Sequence, residues 1–292
     1  MNGDLKNEVT PVTKAVEVMM QAQVENRLVL LLEGISDFKI FNRFVSESRW
    51  EIEYLEGKDN VAKCIETLKL MDQSHYYSIL DNDPLDHTKV TGNVTYTNYS
   101  DLEAEILANS KFFDEIVTSS STLRPARVLD SLNAASWNEV IYRIVAPWTH
   151  LRLYSFSNGL AIPMKDFPEK IIDRSRADCV YSAASEIFAE RAKFSISKEG
   201  ANEVLESMDL GRLAKLHRGH HLTTAMAFIM AISLGAPKIG SRGVEEKIRT
   251  SIIFSDFQSL QCVQALAQWS HLHNKCIWRD GLCVCHPAGN RI

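Results

Sequence analysis

The chain of 292 residues has no apolar run of membrane-spanning length. Its longest strongly apolar stretch, Leu222 to Pro237, falls short of the roughly 20 residues a spanning helix needs and follows two histidines, so it reads as a buried helix. The opening Met1-Asn2-Gly3-Asp4-Leu5-Lys6 lacks the apolar centre of a secretory signal. The expectation is a cytoplasmic protein without membrane association. Six cysteines are too few for a disulfide scaffold at this size, and no two have the two-residue gap of a zinc knuckle. His271, His273, Cys276, Cys283, Cys285 and His286 supply ligand types without that spacing, so a reduced, partly buried tail is expected there ahead of structural zinc. The phosphate-binding loop Gly-x-x-x-x-Gly-Lys-Ser/Thr is missing, which leaves any nucleotide control to a partner.

Charge of one sign is short in each half. Residues 1–110 hold 10 lysines and arginines against 19 acids, a net of −9; residues 111–292 hold 22 against 18, a net of +4. An acidic front that needs cations, joined to a mildly basic remainder, fits a nuclease better than a general polyanion binder.

The chain is organised around Leu28-Val29-Leu30-Leu31-Leu32-Glu33-Gly34-Ile35-Ser36-Asp37. An unbroken branched apolar run suits a strand buried on both faces of a parallel sheet. Gly34 allows a tight turn, and Ser36 is expected to cap a helix through Phe38, Ile40, Phe41 and Phe44, reaching about Ser48. Glu33 then stands at the carboxyl end of a strand, where open α/β sheets bind ligands. Tyr76-Tyr77-Ser78-Ile79-Leu80-Asp81-Asn82-Asp83 repeats the design. If the two strands are neighbours, Glu33, Asp81 and Asp83 converge on a site for Mg²⁺, a hard cation that takes oxygen ligands.

Glu-Gly followed downstream by Asp-x-Asp resembles the Toprim domain of topoisomerases, primases and metal-dependent nucleases. The closer resemblance is to a Toprim-like family related to the overcoming-lysogenization-defect nucleases and found as effectors in bacterial phage defence. It is carried by Glu33-Gly34-x-Ser36-Asp37, Gly57-Lys58-x-Asn60-Val61, Asp81-x-Asp83, Thr97-x-x-x-Asp101-Leu102-Glu103 and Gly219-His220-x-Leu222, spanning residues 28 to 222. The resemblance implies Glu33, Asp81 and Asp83 as catalytic acids and Asp37 as a further metal ligand, with Mn²⁺ able to substitute for Mg²⁺. It also implies an ATPase of the ATP-binding-cassette type that holds the effector until infection, and a freed homodimer that cleaves tRNA and halts translation. Glu103 has two readings: a second-metal ligand or outer base, as the resemblance implies, or an acid offsetting a helix dipole.

Taken in order, residues 10–25 read as a leading helix, with Thr10 as cap and Pro11 in the first turn. Strand, helix, strand, helix, strand follows through Leu80, which demands right-handed crossovers and a parallel sheet. Val94-Thr95-Tyr96-Thr97 makes a fourth strand, and Ser100-Asp101-Leu102-Glu103 opens a helix. Pro84-Leu85-Asp86-His87-Thr88-Lys89 is either a loop that closes over a phosphate or a plain connector. Thr118-Ser119-Ser120-Ser121-Thr122 is the expected boundary. The fold class is therefore α/β: a parallel-sheet catalytic domain over 1–117, then a mainly α-helical region over 123–292 for grip, dimerisation or docking. Helical spacing in that region runs up to Pro147 and resumes over 180–194, 199–216, 222–234, 243–254 and 256–273.

Arg212, Lys215, His217, Arg218, His220 and His221 crowd protonatable side chains into ten positions. They read as a phosphate-contacting rim or as a solvated helix surface. Lys58, after Gly57 at a helix start, suits a phosphate as well. Several functions compete: an RNA-cleaving nuclease, a DNA-cleaving endonuclease with the same acids, a topoisomerase or primase fragment, for which 292 residues leave little room, and a non-enzymatic binding or regulatory subunit.

Overall fold

The computed structural model describes residues 10–83, 90–173, 176–193, 195–236 and 239–282. In chain order the elements are α1 (Pro11–Val24), β1 (Leu28–Leu32), α2 (Ile35–Phe41), β2 (Trp50–Tyr54), α3 (Lys58–Leu70), β3 (Tyr76–Leu80), β4 (Val94–Tyr96), α4 (Leu102–Leu107), α5 (Ser110–Ser120), α6 (Pro125–Ser131) and α7 (Trp137–Ser157). A short β5 (Ile172–Asp173) and β6 (Asp178–Cys179) follow. Then come α8 (Tyr181–Arg191), α9 (Lys198–Glu206), α10 (Leu210–Leu213), α11 (Gly219–Ser233), α12 (Gly240–Ser251), α13 (Phe254–Ser259) and α14 (Gln261–Leu272).

They form two compact units. The first gathers the described residues up to Asp81, those from Val90 to Thr97 and those from Phe257 onward. Its four-stranded sheet has the order β2-β1-β3-β4 and is parallel throughout, with Leu30 level with Ile52 on one side and Tyr77 on the other. All five residues of β1 and of β3 are buried, as expected of strands covered on both faces, and the one polar side chain among them, Ser78, donates its hydroxyl to Leu31 O. One face packs Val29, Leu31, Tyr76 and Leu80 against Ala15, Val18, Val61, Cys64, Ile65 and Leu68 of α1 and α3. The opposite side carries an aromatic cluster. Phe257 meets Phe41 and Phe44 with ring centres 5.0 and 4.7 Å apart, and Trp269 meets Trp50 and Tyr77 at 5.9 and 5.2 Å.

The two units do not divide at 118–122: the second takes up the chain from Asn98, and the aromatic cluster shows where the last segment goes. The last part of the chain belongs with the sheet, because its rings cover a face that α1 and α3 leave open. It is strapped on by polar contacts as well: Ser46 donates its backbone N–H to Ile277, and the Arg49 guanidinium donates to the carbonyls of Cys276 and Trp278. These pairings also explain why α2 stops at Phe41 and not near Ser48, since Val45 bridges to Trp278. The cap differs from expectation too. Gly34 holds the N-cap position, and Ser36 lies inside the first turn. Thr10 caps α1 as expected, accepting from Thr13 N. The free cysteines Cys64, Cys179 and Cys262 are buried.

The second unit holds Asn82, Asp83 and the described residues of Asn98–Asp256, and is mainly helical. Its longest helix, α7, runs straight through Pro147, where helical spacing was expected to end. Pro147 removes one backbone donor, but the turns beyond it are fixed by buried Trp148, Thr149, Leu151, Arg152 and Ser155. The apolar run beginning at Leu222 is helical as expected, within α11. Among the described residues no helix is long and apolar enough to cross a membrane.

Candidate functional site

In the sheet unit, Glu33 directly follows β1 and Asp81 directly follows β3, so two acids leave the carboxyl ends of neighbouring parallel strands. Glu33 Oε1 accepts a 2.7 Å hydrogen bond from Asp81 N, and Glu33 O accepts from Gly57 N at 2.9 Å. Gly57 sits at φ 126°, a conformation open to glycine and strained for other residues, which turns the chain from β2 into α3. Asp37, in the first turn of α2, faces back to the Glu33-Gly34 turn; a Cβ added at Gly34 would lie 3.9 Å from its Oδ2. Lys58 is buried, donates from Nζ to Asp81 O at 3.1 Å, and lies 5.2 Å from the centre of the Tyr96 ring. The expected phosphate-binding lysine is therefore engaged with the backbone at the end of β3.

In the helical unit, Asp83 is held by two guanidiniums. Arg152 Nη1 lies 3.3 Å from both carboxylate oxygens, and Arg218 Nη2 lies 2.6 Å from Oδ2. Arg152 Nη2 donates onward to Leu216 O at 2.9 Å. The Arg152 side chain is only 2% exposed, and burial lowers its pKa to about 10, an effect that Asp83 opposes. Asp101 caps α4 by accepting from Ala104 N at 2.9 Å and ties down α11 by accepting from Gly219 N at 2.7 Å. Two of the motif segments seen in the sequence thus meet through one carboxylate, whose pKa burial pushes up against those two donors. Glu103 lies 3.9 Å from Arg249 Nη1.

The expected basic rim resolves into unlike parts. Arg212 is 86% exposed and pairs with Asp209, and Lys215 donates to Asn98 Oδ1 at 3.1 Å. His220 Nδ1 lies 3.0 Å from Glu245 Oε1, a pairing that raises the histidine and lowers the acid. His217 and His221 do not belong to a charged rim. Both are buried, His217 against Thr149 Oγ1 and His221 against Lys165 O, and burial lowers each to about 3.

The structure brings Glu33 to the Asp81 backbone, and Asp83 to Arg152 and Arg218. Among the described residues no group of three or more His, Cys, Asp or Glu side chains is arranged to hold a metal ion. The possible closing loop at 84–89 and the Cys283, Cys285 and His286 end of the tail lie outside the described residues. Arg152 escaped the sequence reading. Its one signal is a lone charge among Ile144, Val145, Trp148, Leu151 and Ser155, the buried residues of an apolar helix. The chain matches no family model, and no curated protein matches it.

Proposed function

We propose that this chain is a Mg²⁺-dependent endonuclease of Toprim type, acting in the cytoplasm as the toxic effector of an anti-phage system and cleaving tRNA. The observation that supports it most is the Glu33–Asp81 contact across the carboxyl ends of β1 and β3, where parallel sheets place ligand chemistry. Glu33 and Asp81 offer carboxylate oxygens there, the donor type a hard divalent cation takes. Mg²⁺ is commonly held by one or two carboxylates, with water and substrate phosphates completing its shell, so a cage of three acids is not required. Glu33 and Asp81 would hold the ion, with Asp37 beside the turn; once bound, it would activate water and stabilise the leaving oxygen. Lys58 fixes the chain at Asp81, and exposed Arg212 and Lys215 supply positive charge for a backbone.

One observation favours a second reading, a non-enzymatic binding subunit: among the described residues no three ligating side chains gather at one point. Incubating the purified protein with tRNA, single-stranded RNA and duplex DNA in Mg²⁺, Mn²⁺ or EDTA separates the readings. Metal-dependent cleavage of tRNA is expected. Cleavage of DNA alone would replace the substrate, and no cleavage of any of the three would favour the binding subunit.

Control by an ATP-binding-cassette ATPase and a homodimeric active state rest on the family resemblance stated above. Size-exclusion chromatography after co-expression with the neighbouring gene product is expected to show a complex with an ATPase. A monomer that degrades nucleic acid without any trigger would overturn this part.

A further inference from the structure

We propose that Arg152 and Arg218 form a seat for a phosphate oxyanion, and that Asp83 fills this seat as an internal stand-in until a phosphate displaces it. The Arg152 guanidinium is fixed by its position on α7 and by its bond to Leu216 O, so it is pre-organised whether or not Asp83 is in place. Its Nε is buried without a hydrogen-bond partner. A carboxylate has two oxygens to share between two guanidiniums, whereas a phosphate carries more acceptors and matches the planar donor fork of arginine.

Charge balance points the same way. His217 and His221 are neutral near pH 7 and add nothing. The Asp101 carboxylate accepts from the backbone N–H groups of Ala104 and Gly219 and acts on Arg218 and Arg152 through space, without a hydrogen bond to either. Asp83 is therefore the anion set directly against Arg152 and Arg218. Removing it alone leaves two like charges close together, one of them fully buried, which is strongly unfavourable unless another anion arrives. Asp83 is also placed to leave: it lies in neither a helix nor a strand, while Arg152 sits inside a helix and Arg218 immediately precedes one. Its departure would free a carboxylate two residues from Asp81 at the moment a phosphate is seized. That this phosphate belongs to a nucleic-acid backbone rests on the nuclease reading above; the seat itself does not.

The test is thermal melting of full-length Asp83→Asn without divalent ions, in chloride, in inorganic phosphate at matched ionic strength, and in chloride with a short oligothymidylate. In chloride the variant is expected to melt below wild type. Phosphate is expected to recover several degrees in the variant while moving wild type little, and the oligomer to do the same. The double variant Asp83→Asn/Arg218→Gln, relieved of one guanidinium, is expected to melt above the single variant and to ignore phosphate. If Asp83→Asn does not fold in chloride, recovery of folded protein on refolding into phosphate is read in place of the melt. A variant that responds to phosphate no more than to chloride, or a double variant that still responds, would overturn the seat. A response to phosphate without one to the oligomer would overturn the nucleic-acid assignment and keep the seat. Because no arm measures cleavage, failure of the nuclease reading leaves this readout intact.

Discussion

Glu33 reaches across from the end of β1 to the end of β3 and accepts its hydrogen bond from the backbone nitrogen of Asp81, not from a side chain. Two neighbouring strands are thereby locked in register at the edge where both acids emerge. The contact needs only an oxygen acceptor, whereas the proposed metal chemistry needs the charge, so the two are separable by mutation.

Glu33→Gln keeps an oxygen acceptor for Asp81 N and loses the charge, and Asp81→Asn keeps the donor. Each is expected to fold with an unchanged circular dichroism spectrum and to lose at least about a hundredfold in Mg²⁺-dependent cleavage. Full activity in Glu33→Gln would remove this acid from the proposed metal site.

Gly219 begins α11 with its backbone against α4. A Cβ there would come within 2.5 Å of Asp101 Oδ1 and 2.6 Å of Glu103 Cβ, with the backbone nitrogen of Ala104 at 3.1 Å. Gly219→Ala is therefore expected to destabilise the protein by about 1–3 kcal/mol, as overpacking does. Urea denaturation checks it, with a lowered midpoint at constant slope. An unchanged midpoint would show that α4 and α11 part freely.

His217 and His221 set an acid limit. Both have folded-state values lowered from 6.5 to about 3, His217 by burial and then by Arg152. The unfolded chain binds their protons first as pH falls. Their contribution is full above pH 6.5 and is lost progressively towards pH 3. Within that window each histidine adds up to about 1.4 kcal/mol per pH unit to the slope of stability. Replacing both by glutamine is expected to flatten the slope in denaturant titrations at stepped pH. An unaltered slope would mean that other groups control acid unfolding. His220 has the opposite sign: raised by Glu245, it stabilises below its ordinary value, and that support fades as pH rises through the raised one.

Phe257 is fully buried between Phe41 and Phe44, with Trp278 edge-on at 6.3 Å. Phe257→Ala is expected to cost about 3–5 kcal/mol. Near-ultraviolet circular dichroism should report lost aromatic packing. A loss below about 1 kcal/mol would mean the cluster repacks around the gap.

The parallel sheet was legible because β1 is an unbroken apolar run and β3 is broken only by Ser78, whose hydroxyl donates to Leu31 O, and burial on both faces is what such runs require. Glu33 and Asp81 were legible for the same reason, standing at the first polar position after each run. Ser36 was misread as a cap because a hydroxyl near a helix start is a strong local signal, and it gave no hint that Gly34 would take the cap position two residues earlier. The return of the last segment to the sheet was not legible. Phe257, Trp269 and Trp278 resemble any amphipathic stretch until their partners, some two hundred residues earlier, are known. Arg152 was hidden likewise, since the acid that makes sense of it lies on a segment 69 positions away.

The sheet unit is built from both ends of the described chain, with the helical residues 98–256 inserted between them. This order has a consequence for synthesis on the ribosome, where translation adds about 5–20 residues per second. The helical residues emerge as one continuous block and have all their partners before the chain is finished. β1, β2 and β3 emerge earliest, yet Phe41, Trp50 and Tyr77 must wait for Phe257, Trp269 and Trp278 to leave the exit tunnel. A ribosome-bound chain therefore carries the Glu33 edge on an incompletely packed sheet. Until those last aromatic residues arrive, the Glu33 edge stands on a sheet with one face still uncovered.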